Sequence, residues 1–502
     1  MTISETSASR ACRIGRLGAG AALALIILTV PHFALAKTVC VNTAGSGKCF
    51  STIQAAIDSS TGALVISVAP GTYKENVDIS AGRHVTIIGT GGAAATIIDG
   101  GGINPVMTAG SKTVVKLTGL TIQHGSSQSG GGGLSFQNGT YKLFNCTITG
   151  NQLTLSGARG AGIFASGNLT IENSTISNNT LAQVAQGGGI AASGVVKIIG
   201  STISGNGDPT FYSSGGGGLF YYEQSSSPPP PESDTRSSGT SKSGSLTIER
   251  STFSNNQAAQ GGAMYISAGG QTPPLVLVLE TTIAGNTAQS GAGIFAFGAQ
   301  TLLIGQSTVS GNTIVTGGDG FGGGINFQGE TLGIGDSTIA ANSTFNVGGG
   351  IVTDGILTVL ANDTIAGNNA GAEGGGIEAL GATGAFNTII ANNTSGSGPD
   401  CARNLTSDNY NLIGNTSDCT VVLQSHDIVG KDPLLGALAN NGGSTQTMAL
   451  LSGSPAIDAG NPAPPNFTVQ QFRAHPGRCI RVDQRGIVRR KGDCDIGAYE
   501  SQ

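Results

Sequence analysis

The sequence predicts an all-β solenoid, a right-handed parallel β-helix with an N-terminal helical cap and a C-terminal capping module. Three observations carry that reading. An apolar residue followed three positions later by Asn recurs nine times through the middle of the chain. A Gly-rich step into an apolar residue precedes nearly every copy. Within a repeat the apolar residues alternate with a period of two, which is the period of a strand.

The ladder of asparagines consists of Asn151, Asn179, Asn206, Asn256, Asn286, Asn312, Asn342, Asn368 and Asn392, with successive steps of 28, 27, 50, 30, 26, 30, 26 and 24 residues. The step of 50 contains a Pro/Ser-rich insertion, placed at 221–243, that includes Pro228 to Pro231. Proline cannot join a hydrogen-bonded ladder, so the insertion is read as a loop outside the stack. The Gly steps are exemplified by Gly187-Gly188-Gly189-Ile190 and Gly322-Gly323-Gly324-Ile325. A repeat of this length holds about three short strands, none able to bury its apolar face alone, so coils must stack at ~4.8 Å. Asn at a fixed step suits a corner, since it tolerates left-handed backbone and its amide can bond to the Asn of the next coil. Gly at the other corner allows close approach of neighbouring coils. The sequons that recur with the ladder, such as Asn173-Ser174-Thr175, follow from it.

A solenoid exposes its first and last coils, so both ends require cover. Ser51-Thr52-Ile53-Gln54 reads as a capping box opening a short helix with Ile53 and Ile57 on one face. Strand-like runs follow at 64–68, 84–88, 95–98 and 114–122. The boundaries implied are a leader at 1–36, cap and first coils at 37–125, Gly/Asn-rich repeats at 126–393 and a C-terminal module at 394–502. The leader reading rests on Arg10, Arg13 and Arg16, the apolar run from Leu17 to Val30, and Ala34-Leu35-Ala36 as a cleavage site. It implies export, and no later stretch is long and apolar enough to span a membrane.

Composition excludes several classes. The chain has 83 Gly, no Trp and only 11% charged residues, with a formal charge of -5. Removing the leader takes away three Arg and one Glu, leaving 21 basic and 28 acidic residues, no basis for nucleic-acid binding. Seven cysteines remain, and in an oxidising compartment the simplest pairing is local: Cys40 with Cys49, Cys401 with Cys419, Cys479 with Cys494. Cys146 is left as a buried thiol. No C-x-x-C spacing supports a metal site.

The stretch carrying Thr52-Ile53-Gln54-Ala55-Ala56-Ile57 and Pro70-Gly71-Thr72-Tyr73-Lys74-Glu75 resembles the start of β-helix proteins of the pectate-lyase-like superfamily. Gly261-Gly262-Ala263-Met264 with Phe253-Ser254-Asn255-Asn256 is similar to the repeats of polymorphic outer-membrane proteins. The C-terminus resembles the choice-of-anchor Q module of bacterial surface proteins. Asn440-Asn441-Gly442-Gly443, Leu450 to Gly460, Asp483-Gln484-Arg485-Gly486 and Cys494 to Glu500 carry that resemblance. It implies a surface location, although no sorting signal follows the module before Gln502.

Lyases of that superfamily need a basic side chain and cations against the uronate carboxylate. Residues 251 to 402 contain no Lys, Arg or His. The Asn-Thr-Asp, Gly-His-Gly and Gln-Asp-Thr motifs of its hydrolases and esterases are absent as well. Paired carboxylates would suffice for glycoside hydrolysis, and the candidates are Glu330 with Asp354 and Asp319 with Glu373, from analogous parts of the repeats. The same acids could hold Ca²⁺, the one cofactor considered; as ordinary solvated charge they would do neither. The favoured expectation is an exported structural protein, with an adhesive role, presenting loops from a rigid monomeric rod. The alternatives are a polysaccharide-active enzyme with an atypical carboxylate site and a non-catalytic carbohydrate- or Ca-binding module. Extracellular polysaccharide or cell-surface components are the partners implied.

Overall fold

Each repeat turns a Gly step, a strand, a second strand, a sharp corner and a Thr-apolar-Ser/Thr/Ala strand into one coil of a parallel β-solenoid of about 13 turns. The computed structural model describes residues 36–211, 214–223, 244–269, 274–298, 300–463, 478–490 and 494–501. Residues 36–502 form one unit. Residues 1–35 of the leader expected at 1–36 and residues 224–243 of the insertion expected at 221–243 lie outside the described residues, while Tyr221 and Tyr222 belong to the strand Leu219–Tyr222.

Three columns of strands run along the stack. The first holds the strands that follow the Gly steps, among them Ile190, Leu219, Met264, Ile294, Ile325, Ile351 and Ile377 as successive inward residues. The second lies beyond a turn, and four long strands join the two columns into one 23-stranded sheet. The third is a separate 14-stranded sheet. Its inward residues Ile148, Ile176, Ile203, Phe253, Ile283, Val309, Ile339, Ile365 and Ile390 are all fully buried. Like residue thus stacks on like residue, and one apolar core runs from Val41 to Ile413.

The asparagine ladder lines a corner of this core. From Asn151 through Asn368, each side-chain amide donates to Oδ1 of the next member at 2.9–3.0 Å. Each backbone N–H donates to the same oxygen at 2.9–3.1 Å. Two expectations are corrected here. The ninth member is Asn393, not Asn392, because Ile390 and not Ile389 faces the core in register with Ile365. A one-residue slip exchanges the two faces of a strand, and twin residues at Ile389-Ile390 and Asn392-Asn393 hid the register. The ladder residue is also not the left-handed one: the residue before it is, as at Gly150, Asn178, Asn255 and Asn392. The ladder Asn is selected for its amide.

A second ladder runs five residues upstream, where hydroxyls of Ser174, Ser201, Ser251, Thr281, Ser307 and Ser337 each accept the backbone N–H of the preceding coil. It continues through the buried carboxylate of Asp363 to Thr388 and Asn411. Burial pushes the Asp363 carboxyl well above the usual range, against the pull of its two backbone donors.

At the N-terminus the helix Ile53–Asp58 covers the first coil, burying Ile53, Ala56 and Ile57. Its cap is Thr52, whose hydroxyl accepts from Ala55 N–H at 3.2 Å, rather than Ser51. Gln54 does not close a capping box. Glu75 takes that role, accepting from the backbone of Ile53 at 2.8 Å and of Gln54 at 3.0 Å. The last coils end in Cys419–Val422 and Ile428–Val429, where Val422, Leu423 and Val429 remain exposed.

The C-terminal segment beyond Leu434 lies along the flank of the solenoid instead of across its end. Outward apolar residues there, Leu303, Ala361 and Phe386, pack on Ile480, and Ile389 and Leu412 pack on Leu450, Ala456 and Ile496. Gln484 spans two coils, accepting from the Thr338 hydroxyl at 2.6 Å and donating to that of Thr308 at 2.9 Å. Arg489, fully buried, pairs with Asp336 and with Glu500, each at 2.9 Å. Disulfides join Cys40 to Cys49, Cys401 to Cys419 and Cys479 to Cys494, while Cys146 is a buried free thiol.

Candidate ligand-binding face

Strand alternation turns every second residue of the first column outward, and the register lines these residues up along the solenoid. Phe220, Tyr265, Phe295, Asn326, Val352, Glu378 and Ala402 succeed one another coil by coil. A parallel file beside it carries Gln260 and Ser290, then Phe321, Val347, Glu373 and Ser397. Together they form a strip that changes from aromatic and amide to aliphatic and then to acidic.

The aromatic part is closely packed. Tyr265 lies 5.3 Å from Phe220 and 5.2 Å from Phe295, ring to ring, the latter pair edge to face at 74°. Gly215 makes room for this, since a Cβ there would come within 2.5 Å of the Tyr265 ring. Arg159 sits 4.6 Å above Tyr222 and 5.7 Å from Phe220, closing the strip at that end with a cation stacked on rings. A cavity of about 330 Å³ opens over Gln260, Tyr265, Ser290, Phe295, Phe297, Asp319, Phe321, Asn326 and Gln328. Asn326 is wholly buried, and its amide donates to the Ser290 hydroxyl at 2.9 Å. Among the described residues, Asp319 is the only charged side chain lining this cavity or the adjoining one of about 240 Å³.

The acidic part is held by Arg403, the first cation after the basic-free stretch 251–402. Its guanidinium donates to Glu378 at 2.8 Å and to Glu373 at 2.9 Å. Glu378 is buried, and one of its carboxylate oxygens has no hydrogen-bond partner. Burial raises its carboxyl above the usual range, with the bond from Arg403 pulling the other way.

The four candidate carboxylates do not assemble as the repeat pattern implies. Glu373 is in register with Val347 and, one coil further, with Phe321, so Asp319 is not its counterpart. Asp319 lines the aromatic cavity, whereas Glu373 is engaged by Arg403. Glu330 and Asp354 lie on turns of adjacent coils, but Leu357 N–H bonds to Glu330 O and Asp354 N–H to Phe327 O, which offsets the two side chains. Among the described residues, no group of three or more His, Cys, Asp or Glu is placed to hold a metal ion. The aromatic platform escaped the sequence reading because it lacks Trp and is assembled from separate coils. A constant offset marks it: Phe220, Tyr265 and Phe295 each directly follow the first apolar residue after a Gly step.

Residues 101–272 match the family model described as right handed beta helix region. The fold is a right-handed β-helix. No curated protein matches the chain. Among solved structures, this β-helix is similar to pectate lyase Pel9A at 13% identity, covering 93% of this chain and 97% of that one, with a TM-score of 0.39. It is also similar to pectin methylesterase PemA from Erwinia chrysanthemi at 13% identity, 54% and 89% coverage and a TM-score of 0.31. A pectin methylesterase in complex with hexasaccharide VII matches at 13% identity, 54% and 88% coverage and a TM-score of 0.30. Likeness at this level concerns fold alone. Among the described residues, no helix is long and apolar enough to cross a membrane.

Proposed function

We propose that this β-helix is an exported, cell-surface adhesive rod that binds an extended, uncharged glycan along the outer face of its first strand column. The observation that carries the reading is the in-register run Phe220, Tyr265, Phe295 and Asn326, flanked by Gln260, Ser290 and Gln328. Phe220, Phe295 and Asn326 are themselves buried, so contact with a sugar falls to the partly exposed Tyr265 and Phe321 and the exposed Phe297, whose rings offer apolar faces, and to the amides of Gln260 and Gln328, which offer directional bonds to sugar hydroxyls. One such position every ~4.8 Å along a rigid axis suits a linear polymer lying parallel to the solenoid. From Ser251 to Ala402 the sequence has no cationic side chain, so beyond the end closed by Arg159 the face offers less to a polyuronate than to a neutral glycan. Export is supported by the leader-like sequence before Lys37 and by three disulfides, which persist in oxidising compartments. The C-terminal resemblance to choice-of-anchor modules supports the surface location.

The test is glycan binding by purified protein beginning at Lys37, measured by array and then by calorimetry. Tyr265→Ala is expected to weaken binding at least tenfold, since a ring of this size contributes roughly 1.5–3 kcal/mol when covered. Indifference of every neutral glycan to that substitution would overturn the proposal. An absorbance assay for unsaturated uronate, expected to show no product, covers the enzymatic alternative.

A further inference from the structure

We infer that the cavity between Tyr265, Phe295, Phe297 and Phe321 is a site for an organic cation of the quaternary or methylated ammonium class. Four aromatic side chains line it together with one carboxylate, Asp319. Ring faces carry partial negative charge and attract a cation that has shed its water, most strongly where several rings surround it. Trimethylated ammonium has no N–H to satisfy, so a wall of rings suits it better than a ring of acceptors. The remaining polar lining, Gln260, Ser290, Asn326 and Gln328, is neutral and interleaved with the rings, Asn326 being in register with Phe295 and Gln328 with Phe297.

Charge points the same way. No Lys, Arg or His occurs between Ser251 and Ala402, so no basic side chain of that stretch competes for the rings. The next cation along the chain, Arg403, is already engaged by Glu373 and Glu378. Asp319 is exposed, and its carboxylate is the charged group on the cavity lining available to a bound cation. At about 330 Å³ the cavity accommodates a choline-sized head group. A uronate or phosphate would meet the like charge of Asp319 and, among the described lining residues, no cation.

This inference shares Tyr265, Phe295 and the polar lining with the glycan reading but rests on its own observation, four rings with one carboxylate around a cavity. A choline substituent on a polymer would join the two, but each has its own probe. Choline, tetramethylammonium and the uncharged choline isostere 3,3-dimethyl-1-butanol are titrated against the protein beginning at Lys37, with the ligand methyl resonances followed by NMR. Phosphatidylcholine vesicles form a further arm that separates a lipid head group from soluble choline compounds. Saturable binding of the two cations is expected, with the isostere at least tenfold weaker. Phe297→Ala and Asp319→Asn, both at exposed positions and so tolerable to the fold, are each expected to weaken choline about tenfold or more. Equal binding of the isostere would overturn the inference, as would no saturable binding of either cation. Undiminished choline binding in both variants would also overturn it, by placing the cation elsewhere. Loss of glycan binding in Tyr265→Ala with no binding of choline to the unaltered protein would remove this inference and keep the first proposal.

Discussion

Asn393 donates its side-chain amide to Oδ1 of Asp400 at 2.9 Å, so that the ladder of nine asparagines ends on a carboxylate. The backbone N–H of Asn393 reaches the same oxygen at 3.0 Å, and Asn415 N–H bonds to the other at 2.7 Å. Every amide in the column donates in one direction, and a chain of such bonds polarises its members. A carboxyl acceptor at the donor end completes it, its proton affinity raised by burial against the pull of the Asn393 and Asn415 donors. Asp400→Ala should therefore cost about 1–3 kcal/mol, the penalty for stranding buried donors. Asp400→Asn keeps the Oδ1 acceptor and should cost less. Denaturant melts with hydrogen exchange around residues 393–415 measure both, since coils interact chiefly with their neighbours.

Within the ladder, Asn312 donates to Asn342 Oδ1 and to Ile283 O, and accepts from Asn286. Asn312→Ala leaves a buried carbonyl and two N–H groups without partners, at an expected cost of about 1–3 kcal/mol. Asn312→Asp should be no milder, because it puts carboxylate oxygen where the amide faced two acceptors. Chemical denaturation of the two variants decides this, and a fully stable Asp variant would contradict the donor direction assigned here.

Asp336 and Glu500 share one guanidinium, that of Arg489. Burial pushes the Asp336 carboxyl up to about 8 against the attraction of Arg489, with Asp483 and Glu500 adding to the rise. Glu500 is raised in the same sense, also by burial first. A carboxyl whose folded value exceeds its unfolded value favours the folded state at low pH, and that contribution fades as pH rises through the folded value. Packing of the C-terminal segment on the flank should weaken between about pH 4 and 8, and Asp336→Asn should flatten the dependence. Thermal melts and limited proteolysis across a pH series are the measurements. Arg489→Met, which leaves two buried acids without counter-charge, should cost about 3–5 kcal/mol.

Glu378 depends on Arg403 in a similar way at the surface strip. Burial already raises its carboxyl, and Arg403 opposes that rise. Arg403→Met removes the opposing charge, so the folded state should hold the Glu378 proton to higher pH. The variant should melt close to the parent protein in mild acid and clearly below it in mild alkali. A uniform loss at all pH values would mean that Arg403 acts through packing alone.

Cys146 is buried, and burial pushes its thiol above the ordinary range. In protein beginning at Lys37 a thiol reagent should label nothing until the chain unfolds, then one group per chain with the disulfides intact. Labelling of the native protein, or a peptide map linking Cys146 to another cysteine, would contradict the structure.

The repeat was legible in the sequence because a solenoid writes its architecture locally. Each coil meets the same neighbours, so Thr-Ile-Ser-Asn-Asn at Thr175–Asn179 and Thr-Ile-Ser-Gly-Asn at Thr202–Asn206 report the same strand, corner and ladder. The hydroxyl ladder was equally local, five residues before each Asn, but Ser, Thr, Cys and Asp alternate in it and share an atom's role rather than an identity. The slip at Ile389-Ile390 marks the limit of local reading, since two like residues in succession satisfy either register until neighbouring coils choose one.

By itself, then, the sequence determined the period and all but the last of the inward residues and ladder amides, which are set by contacts between adjacent coils, and the three disulfides, each between cysteines close in the chain. Only the tertiary structure decided where the C-terminal segment lies and which outer side chains meet. Gln484 reaches Thr308 and Thr338 across 176 and 146 residues, and Arg489 reaches Asp336 across 153. No spacing rule encodes such pairs, because they depend on how the chain folds back over the finished stack. The aromatic face has the same origin: Phe220, Tyr265 and Phe295 are distant in sequence and become neighbours only because coils stack in register, one rung every ~4.8 Å.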